Sequence, residues 1–225
     1  CIRDSVSAAP RPLPRRPPLK EMKEDMQPNT GKTRPVEKVD AVTIRFVGDS
    51  GDGMQLVGSE FTKASAIAGN DLATFPDFPA EIRAPQGTLP GVSSFQLPFA
   101  HFDIVTPGDV PDVLVAMHPA ALQANLRDLP RGGVIIVDTA DFTKRNLAKI
   151  GWASNPLEDG TLANYSVHAL DLTGLATGAV AEFELSRKDA SRTKNMFALG
   201  LLSWLYSRPT EGTVRFLSQK FAKKP

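Results

Sequence analysis

The feature that most constrains the fold of this chain is a repeated alternation of strand-like and helical runs. The run "VTIRFVG" (42–48) has the two-residue period of a strand, and apolar residues then recur every three or four positions from Met54 to Ala68. "DVLVAM" (112–117) and "GVIIVD" (133–138) are short apolar runs typical of buried parallel strands, and each precedes a helical run. The stretches "YSVHALDL" and "TGLATGAVAEF" repeat the unit once more. Such alternation predicts an α/β fold with a mainly parallel sheet and helices on both faces.

The same pattern predicts where the helices lie in this Rossmann-like, doubly wound arrangement. The first helix is expected to end at Gly69, a usual left-handed terminus. "ASRTKNMFALGLLSWLYSR" (190–208) predicts one long helix in which Gly200 allows close helix packing. After Pro209, "TEGTVRFLSQKF" predicts a last helix capped by Thr210. The side of the long helix expected to be buried consists of Met196, Phe197, Gly200, Leu201, Trp204 and Leu205.

The segment 71–109 interrupts this rhythm, since it contains six prolines. Long irregular segments inside compact domains are typical of functional loops. Within it, "GVSSFQLPF" (91–99) predicts a strand.

Residues 1–40 differ in composition from the rest of the chain. They hold seven of the nineteen prolines and few large apolar residues, which predicts a disordered Pro/Arg-rich arm preceding one domain over 41–225. A transit peptide is a weaker alternative, because the arm also carries six acidic residues.

Composition excludes several function classes. The formal net charge is +1, and residues 41–225 are slightly acidic, so a basic nucleic-acid surface is not expected. The single cysteine, Cys1, allows no internal disulfide and no Cys-ligated cluster in this chain.

No apolar run approaches the roughly 20 residues of a membrane span, and we expect a cytoplasmic protein. The chain opens on Cys1 and ends on "AKKP", and we expect a fragment of a longer product.

The stretch "RFVGDSGDGMQLVGSEF" (45–61) leads a strand through glycines into a helix, an arrangement that presents backbone N–H groups to an anion. The dinucleotide fingerprint lacks its third glycine, because Leu56 stands there, and the Walker pattern lacks Lys-Ser/Thr after Gly58. "GDG" at 51–53 resembles the metal motif of thiamine-diphosphate enzymes, but Asn70 lies too close to complete it. Two interpretations remain, a phosphate cradle or a tight turn that packs the helix on the sheet.

Polar side chains around the turn have simple structural interpretations. Asp49 and Asp52 are expected to complement the dipole of the following helix. A catalytic carboxylate pair is the alternative, but nothing nearby in the sequence supplies a base or a metal partner. His101, His118 and His168 lack metal-ligand spacing, so each is expected to be structural. We therefore predict no metal site.

Arg83, in "AEIRAPQG", is the best candidate for a functional side chain in the irregular segment. A guanidinium in a glycine- and proline-shaped loop suits a carboxylate or phosphate, and an ion pair with Glu81 or Asp77 is an equal alternative. Lys194 and Asn195 head the long helix, either as ligand contacts or as solvated residues of its first turn.

Four stretches follow one another along the chain: "RFVGDSGDGMQLVGSEF", "GNDLATFPDFPAEIRAPQGTLPGVSSFQL", "PDVLVAMHPAAL" and "KNMFALGLLSWLY". In this order they resemble the gamma domain of 2-oxoacid:ferredoxin oxidoreductases, and the resemblance covers 41–225. More narrowly, they are similar to the N-terminal part of the alpha subunit of the 2-oxoglutarate:ferredoxin type.

The resemblance implies an enzyme complex that decarboxylates a 2-oxoacid, passes electrons to ferredoxin and transfers the acyl group to coenzyme A. Thiamine diphosphate, Mg²⁺, a [4Fe-4S] cluster and coenzyme A are its implied cofactors, none bound by this chain alone. The implied partners are a pyrimidine-binding module after this domain, a beta subunit carrying the diphosphate-binding module, and ferredoxin.

For this chain the resemblance implies a supporting role and identifies no catalytic residue. A non-catalytic structural module of the same complex is the first alternative, and a stand-alone nucleotide-binding α/β enzyme is a weaker one. Carried over from the family's motifs, the candidate cofactor-binding residues, with coenzyme A as ligand, are Gly48, Gly51, Asp52, Gly53, Gln55, Arg83, Lys194 and Asn195.

Overall fold

The computed structural model describes residues 38–80, 84–106, 108 and 110–222. Most of the predicted arm lies outside them. The strands of the described residues are β1 (Ala41–Asp49), β2 (Asp71–Leu72), β3 (Phe75–Asp77), β4 (Val92–Ala100), β5 (Val113–Ala116), β6 (Val134–Asp138) and β7 (Ser166–Leu170). These seven strands form one sheet in the order β2-β4-β1-β5-β6-β7, with β3 pairing to β4.

Seven α-helices connect and cover these strands. Short 3-10 turns at 89–91, 126–128, 139–141 and 181–183 complete the connections. The helices are α1 (Met54–Ile67), α2 (Pro119–Asn125), α3 (Lys144–Lys149), α4 (Leu172–Ala179), α5 (Arg187–Ser191), α6 (Lys194–Leu205) and α7 (Glu211–Lys220).

The sheet is mainly parallel, as the sequence predicts. β1 pairs in parallel with β5, β5 with β6 and β6 with β7. β4 is the strand predicted from "GVSSFQLPF", and it runs antiparallel to β1 over nine residue pairs. The irregular segment therefore returns to the sheet and pairs beside β1, in addition to forming loops.

Helices cover both faces of the sheet because alternate strand residues enter two separate cores. On the first face, Phe46 of β1 packs in a cluster with residues of α1, α4 and α6. On the second face, Val47 of β1 packs with Ala121 and Leu122 of α2. This division confirms the doubly wound α/β prediction.

The predicted long helix is wrong in two respects. It is divided into α5 and α6 around Arg192 and Thr193. Its expected buried side is also only half right: Met196, Phe197 and Leu201 pack against the first core, whereas Trp204 and Leu205 are 54% and 48% exposed. A Cβ on Gly200 would meet nothing within 4 Å, so this glycine makes no close helix contact. A nearly all-apolar run gives no clear phase, and the neighbouring helices decide which side is buried.

Two helix-end predictions also need correction. α1 ends near Gly69, which has the expected left-handed φ of 84°, but Ala68 is exposed rather than part of the core side. Thr210 occupies the N-cap position of α7 but makes no side-chain capping hydrogen bond.

Candidate functional site

The candidate site is a cleft at the carboxyl ends of neighbouring parallel strands. Asp49 ends β1, His118 follows β5 and Asp138 ends β6. From β1 the chain proceeds to β2, β3 and β4 on one side, whereas from β5 it proceeds to β6 on the other. This reversal is the position at which open α/β sheets bind ligands. The cleft has a volume of about 210 Å³ and is lined by Asp49, Asp52, Gln86, Gly87, His118, Pro119, Asp141, Asn146, Lys149 and Lys194.

The glycine turn is shaped by steric limits at two of its three predicted glycines. Gly53 has a φ of 74°, and a Cβ there would lie 2.6 Å from the side-chain nitrogen of Asn195. At Gly48 a Cβ would lie 3.0 Å from Cγ of Met54. Gly51 is exposed, with no atom within 4 Å of an added Cβ. Packing therefore accounts for Gly48 and Gly53, while Gly51 has no steric role.

The Asp52 carboxylate closes the glycine turn on itself. Its Oδ2 accepts a hydrogen bond from the backbone N–H of Asp49 at 3.1 Å, and its own N–H donates to the Asp49 carbonyl at 2.9 Å. Burial raises the pKa of Asp52, and the nearby Lys194 charge opposes that rise. A backbone N–H group at the turn, that of Asp49, is thus already bound to a carboxylate of the chain itself.

His118 and Asp49 form a buried pair beneath the cleft. The imidazole Nε2 lies 3.3 Å from Oδ1 of Asp49, whose Oδ2 accepts from the Gly87 N–H at 2.9 Å. Neither facing atom of the pair has a partner with good hydrogen-bond geometry. The expectation that no partner group lies near Asp49 and Asp52 is therefore wrong, because the fold places an imidazole beside Asp49. The position of His118, directly after a strand at the carboxyl edge of the sheet, is the sequence signal for this pair.

The ring of His118 is oriented by the start of α2. Its Nδ1 accepts the backbone N–H of Ala121 at 3.2 Å, which caps the helix. Because Nδ1 is the acceptor, the proton of the neutral imidazole belongs on Nε2, facing Asp49.

Asp49, Asp52 and His118 have the spacing of a possible metal site, with ligand atoms within 4.8 Å of one another. The capping bond to Ala121 opposes this use, because Nε2 would need its lone pair for a metal and Nδ1 would then carry a proton toward another N–H. A hydrogen-bonded structural set explains the three groups better than a metal centre does.

The charge of the cleft is mixed, with an acidic excess. Asp49, Asp52 and Asp141 line it together with Lys149 and Lys194. The Lys194 ammonium lies 3.6 Å from an Asp141 carboxylate oxygen and is 13% exposed, so its charge is largely balanced within the chain. A diphosphate would meet carboxylates here as well as lysines, which makes the cleft a weak site for a polyanion.

Asn195 and Gln55 use their side-chain amides within the chain. Asn195 donates from Nδ2 to the carbonyl oxygen of Asp52 at 2.9 Å, joining α6 to the glycine turn. Gln55 donates to the carbonyl oxygens of Ser94 at 2.8 Å and Asp77 at 3.2 Å. These bonds hold β3 and β4 against α1.

The structure thus brings several of the predicted residues together, while others lie elsewhere. Gln55 points to the β3–β4 side, and Arg83 lies outside the described residues. The residues that meet around the turn and the start of α6 are Gly48, Asp52, Gly53, Lys194 and Asn195.

Residues 43–225 match the family described as pyruvate ferredoxin/flavodoxin oxidoreductase. This match covers most of the chain. The chain belongs to the pyruvate ferredoxin/flavodoxin oxidoreductase family. The resemblance carried by the four sequence stretches is confirmed at this level.

The chain is similar to two curated oxidoreductase subunits. It is 60% identical over 189 residues to the 2-oxoglutarate oxidoreductase subunit KorA of Mycobacterium tuberculosis, covering 84% of this chain and 29% of the relative. It is 30% identical over 137 residues to the ketoisovalerate oxidoreductase subunit VorA of Methanothermobacter marburgensis, covering 58% of this chain and 26% of the relative. The chain thus spans less than a third of each.

Solved structures of the oxidoreductase family show the same fold. The 2-oxoglutarate:ferredoxin oxidoreductase of Magnetococcus marinus, solved with 2-oxoglutarate, coenzyme A and succinyl-CoA bound, matches 84% of this chain and 28% of its own at a TM-score of 0.61 and 26% identity. A keto/oxoacid ferredoxin oxidoreductase gamma subunit from Geobacter sulfurreducens matches 73% of this chain and 75% of its own, at a TM-score of 0.51 and 22% identity. The second likeness supports the fold alone.

Within the described residues of this family member, no helix is both long enough and apolar enough to cross a membrane.

Proposed function

We propose that the chain supplies the gamma-domain part of a 2-oxoglutarate:ferredoxin oxidoreductase. The observation that carries the proposal is the 60% identity to a 2-oxoglutarate oxidoreductase subunit over 84% of this chain. The complete enzyme would convert a 2-oxoacid and coenzyme A to an acyl-CoA and CO₂, and two electrons would pass to ferredoxin.

The redox and thiamine chemistry would belong to other parts of that enzyme. An iron–sulfur cluster needs several thiolates, and the chain has one cysteine. The glycine turn does not fit a thiamine-linked Mg²⁺, because its carboxylate Asp52 accepts the backbone N–H of Asp49 and His118 caps α2. Thiamine diphosphate, Mg²⁺ and the cluster are therefore proposed for the pyrimidine-binding module and the beta subunit.

Coenzyme A would contact this chain with only part of its length. The cleft of about 210 Å³ is smaller than the ≈ 300–1,000 Å³ typical of whole-ligand pockets. Lys194 lies at its wall, and Arg83 belongs to the loop sequence that precedes the cleft residues Gln86 and Gly87. In this proposal Arg83 and Lys194 orient a single phosphate of the coenzyme, since the carboxylates of the cleft oppose a longer polyanion and partly balance the Lys194 charge.

A structural module of the same complex is the second candidate. It is favoured by the intrachain bonds of Asn195 and Gln55, which leave their amides occupied. A stand-alone nucleotide-binding enzyme is the weakest candidate, since carboxylates occupy the turn that would cradle a phosphate.

Co-expression with the remaining oxidoreductase parts tests the main proposal. We expect the purified chain to be folded and inactive, and the assembly to reduce a viologen dye only when 2-oxoglutarate and coenzyme A are both present. Turnover by the chain alone would contradict the proposal. A complete assembly that is loaded with cofactors but shows no turnover would also contradict it.

Calorimetry with coenzyme A on the assembled enzyme separates the two leading candidates. Arg83→Ala and Lys194→Met are expected to weaken binding about tenfold each, while the exposed Lys144→Met serves as a charge-matched control. Unchanged affinity in both cleft variants would favour the structural module.

A further inference from the structure

The two faces of the sheet differ in the apolar surface that their helices expose. Among the described residues fifteen large hydrophobic side chains are exposed, and none lies between positions 111 and 174, the region that contains α2 and α3. Near these helices Leu89 is exposed, in the 3-10 turn that contacts α2. Eight lie on the first-face helices, on α7 or in the segments directly after them. These eight form what we call the first-face surface: Ile67, Leu175, Phe183, Leu185, Trp204, Leu205, Val214 and Phe221.

The central helix of this surface is α6. It contacts both α1 and α4, and it buries Ala198, Leu199 and Leu202 against the first-face core. Its opposite side carries Gly200 and Trp204, which are four positions apart and therefore neighbours on the helix. An added Cβ at Gly200 would meet nothing within 4 Å, and Trp204 is 54% exposed. The outer side of α6 is thus apolar and partly exposed, with space beside Gly200.

The flanking elements have the same character. The final helix, α7, contacts α1 but has no fully buried residue, and its Val214 is 54% exposed. On the other flank every residue from 181 to 189 is exposed, including Phe183 at 64%. Exposed apolar groups in this number on one side of a domain are typical of a protein–protein interface.

We infer that the first-face surface packs against a further module of the oxidoreductase, and that the α2–α3 side remains in solvent. The inference rests on the proposed function. This chain matches 29% of the length of its Mycobacterium tuberculosis relative and 28% of the solved Magnetococcus marinus chain. More than two thirds of each relative therefore lies outside the matched part. An apolar face of that module is the occupant that the exposed side chains fit.

Hydroxyl-radical footprinting tests the assignment on the assembled enzyme. Labelling of Trp204 and Phe183 is expected to fall at least about fivefold on assembly, because an interface excludes solvent. Trp152 and Tyr165, half-buried on the second face, are the internal controls and are expected to stay unchanged. Undiminished labelling of Trp204 in an assembly that turns over 2-oxoglutarate would overturn the inference and leave the proposed function standing.

A double variant on the surface, with a single valine control outside it, tests the same inference by affinity. Val214→Ser, combined with Leu175→Gln, is expected to weaken association with the remaining module about tenfold or more. Val105→Ser removes the same group from a residue that is 93% exposed outside the surface and is expected to have no effect. Equal weakening by the control, or no weakening by the double variant, would contradict the inference.

Sedimentation of the isolated chain addresses a second copy as the occupant. We expect a monomer, or a weak dimer that the remaining module displaces. A stable dimer that protects Trp204 and resists displacement would overturn the inference. Protection of Trp204 in a complete assembly without turnover would support the surface and contradict the proposed function.

Discussion

The side-chain amide of Asn195 donates to the carbonyl oxygen of Asp52 at 2.9 Å, across 143 positions of the chain. This bond joins the first turn of α6 to the glycine turn between β1 and α1. The same amide nitrogen occupies the space that a side chain at Gly53 would need. The turn and the start of α6 are therefore mutually dependent.

The first prediction concerns Gly53. Gly53→Ala is expected to lower the free energy of unfolding by about 1–3 kcal/mol, because alanine is strained at a φ of 74° and its Cβ would contact Asn195. Urea unfolding measures the change. Gly51→Ala is the control, expected within about 0.5 kcal/mol of the parent chain.

A double-variant cycle separates strain from contact at this position. Adding Asn195→Ala to Gly53→Ala removes the clash, so the two effects are expected to be non-additive. Strict additivity would show that the Asn195 contact plays no part.

The second prediction concerns the pH dependence of stability at Asp52. Burial raises its pKa above the ordinary value of 3.8, so the folded chain holds this proton more tightly than the unfolded chain does. The stability gained from this tighter proton binding is therefore fully present below the pKa of Asp52 in the unfolded chain. It is lost as pH rises through the pKa of Asp52 in the folded chain. Asp52→Asn stays neutral, and its amide oxygen still accepts the Asp49 N–H.

We expect the stability difference in favour of Asp52→Asn to be largest near neutral pH and to shrink below about pH 4. Urea unfolding at several pH values measures it, with Asp141→Asn as a comparison at the other wall of the cleft. A difference that does not vary with pH would contradict the burial of the Asp52 charge.

The third prediction concerns the imidazole of His118. Its Nδ1 accepts the Ala121 N–H, so nitrogen NMR of the labelled chain is expected to show the neutral ring protonated on Nε2. Addition of Mn²⁺ is expected to leave the His118 and Asp49 signals unbroadened. The Nδ1-protonated form would contradict the capping bond, and selective broadening at these residues and Asp52 would indicate a metal site instead.

Replacing this histidine also tests its capping role. His118→Ala is expected to destabilise the chain by about 0.5–2 kcal/mol, the usual range for losing an N-cap. His118→Asn retains a capping group and is expected to recover part of that loss. Equal destabilisation by both variants would assign the effect to the Asp49 contact rather than to the cap.

The fourth prediction concerns Gly200. Because its added Cβ would meet no atom within 4 Å, Gly200→Ala is expected to raise the stability of the isolated chain by up to about 1 kcal/mol through helix propensity. Thermal unfolding measures the gain. Gly58→Ala is the opposite case. Its Cβ would lie 2.1 Å from a ring atom of Phe95, so this variant is expected to destabilise the chain. A loss of stability in Gly200→Ala would instead support the close packing predicted from sequence.

The sequence predicts those features that local pattern controls. Alternating apolar residues at Ile44 and Phe46 predict β1, and the short apolar runs predict β5 and β6, because burial on both faces requires such runs. The glycine turn is also visible, since Gly53 takes a conformation that other residues rarely adopt.

The sequence does not predict which side of α6 is buried. Almost every position of "MFALGLLSWL" is apolar, so periodicity allows several phases. Contacts with α1 and α4 select the side containing Ala198 and Leu202 and leave Trp204 outside.

By itself, then, the sequence determined the α/β class, the position of the glycine turn and the family, because these depend on residue types at short and regular spacing. Only the tertiary structure brought His118 to Asp49 and Asn195 to Asp52, since each pair is separated by many residues along the chain. The meeting of strand ends at one edge of the sheet decides such contacts. That edge carries the cleft, and the packing of α6 decides which of its apolar side chains stay exposed.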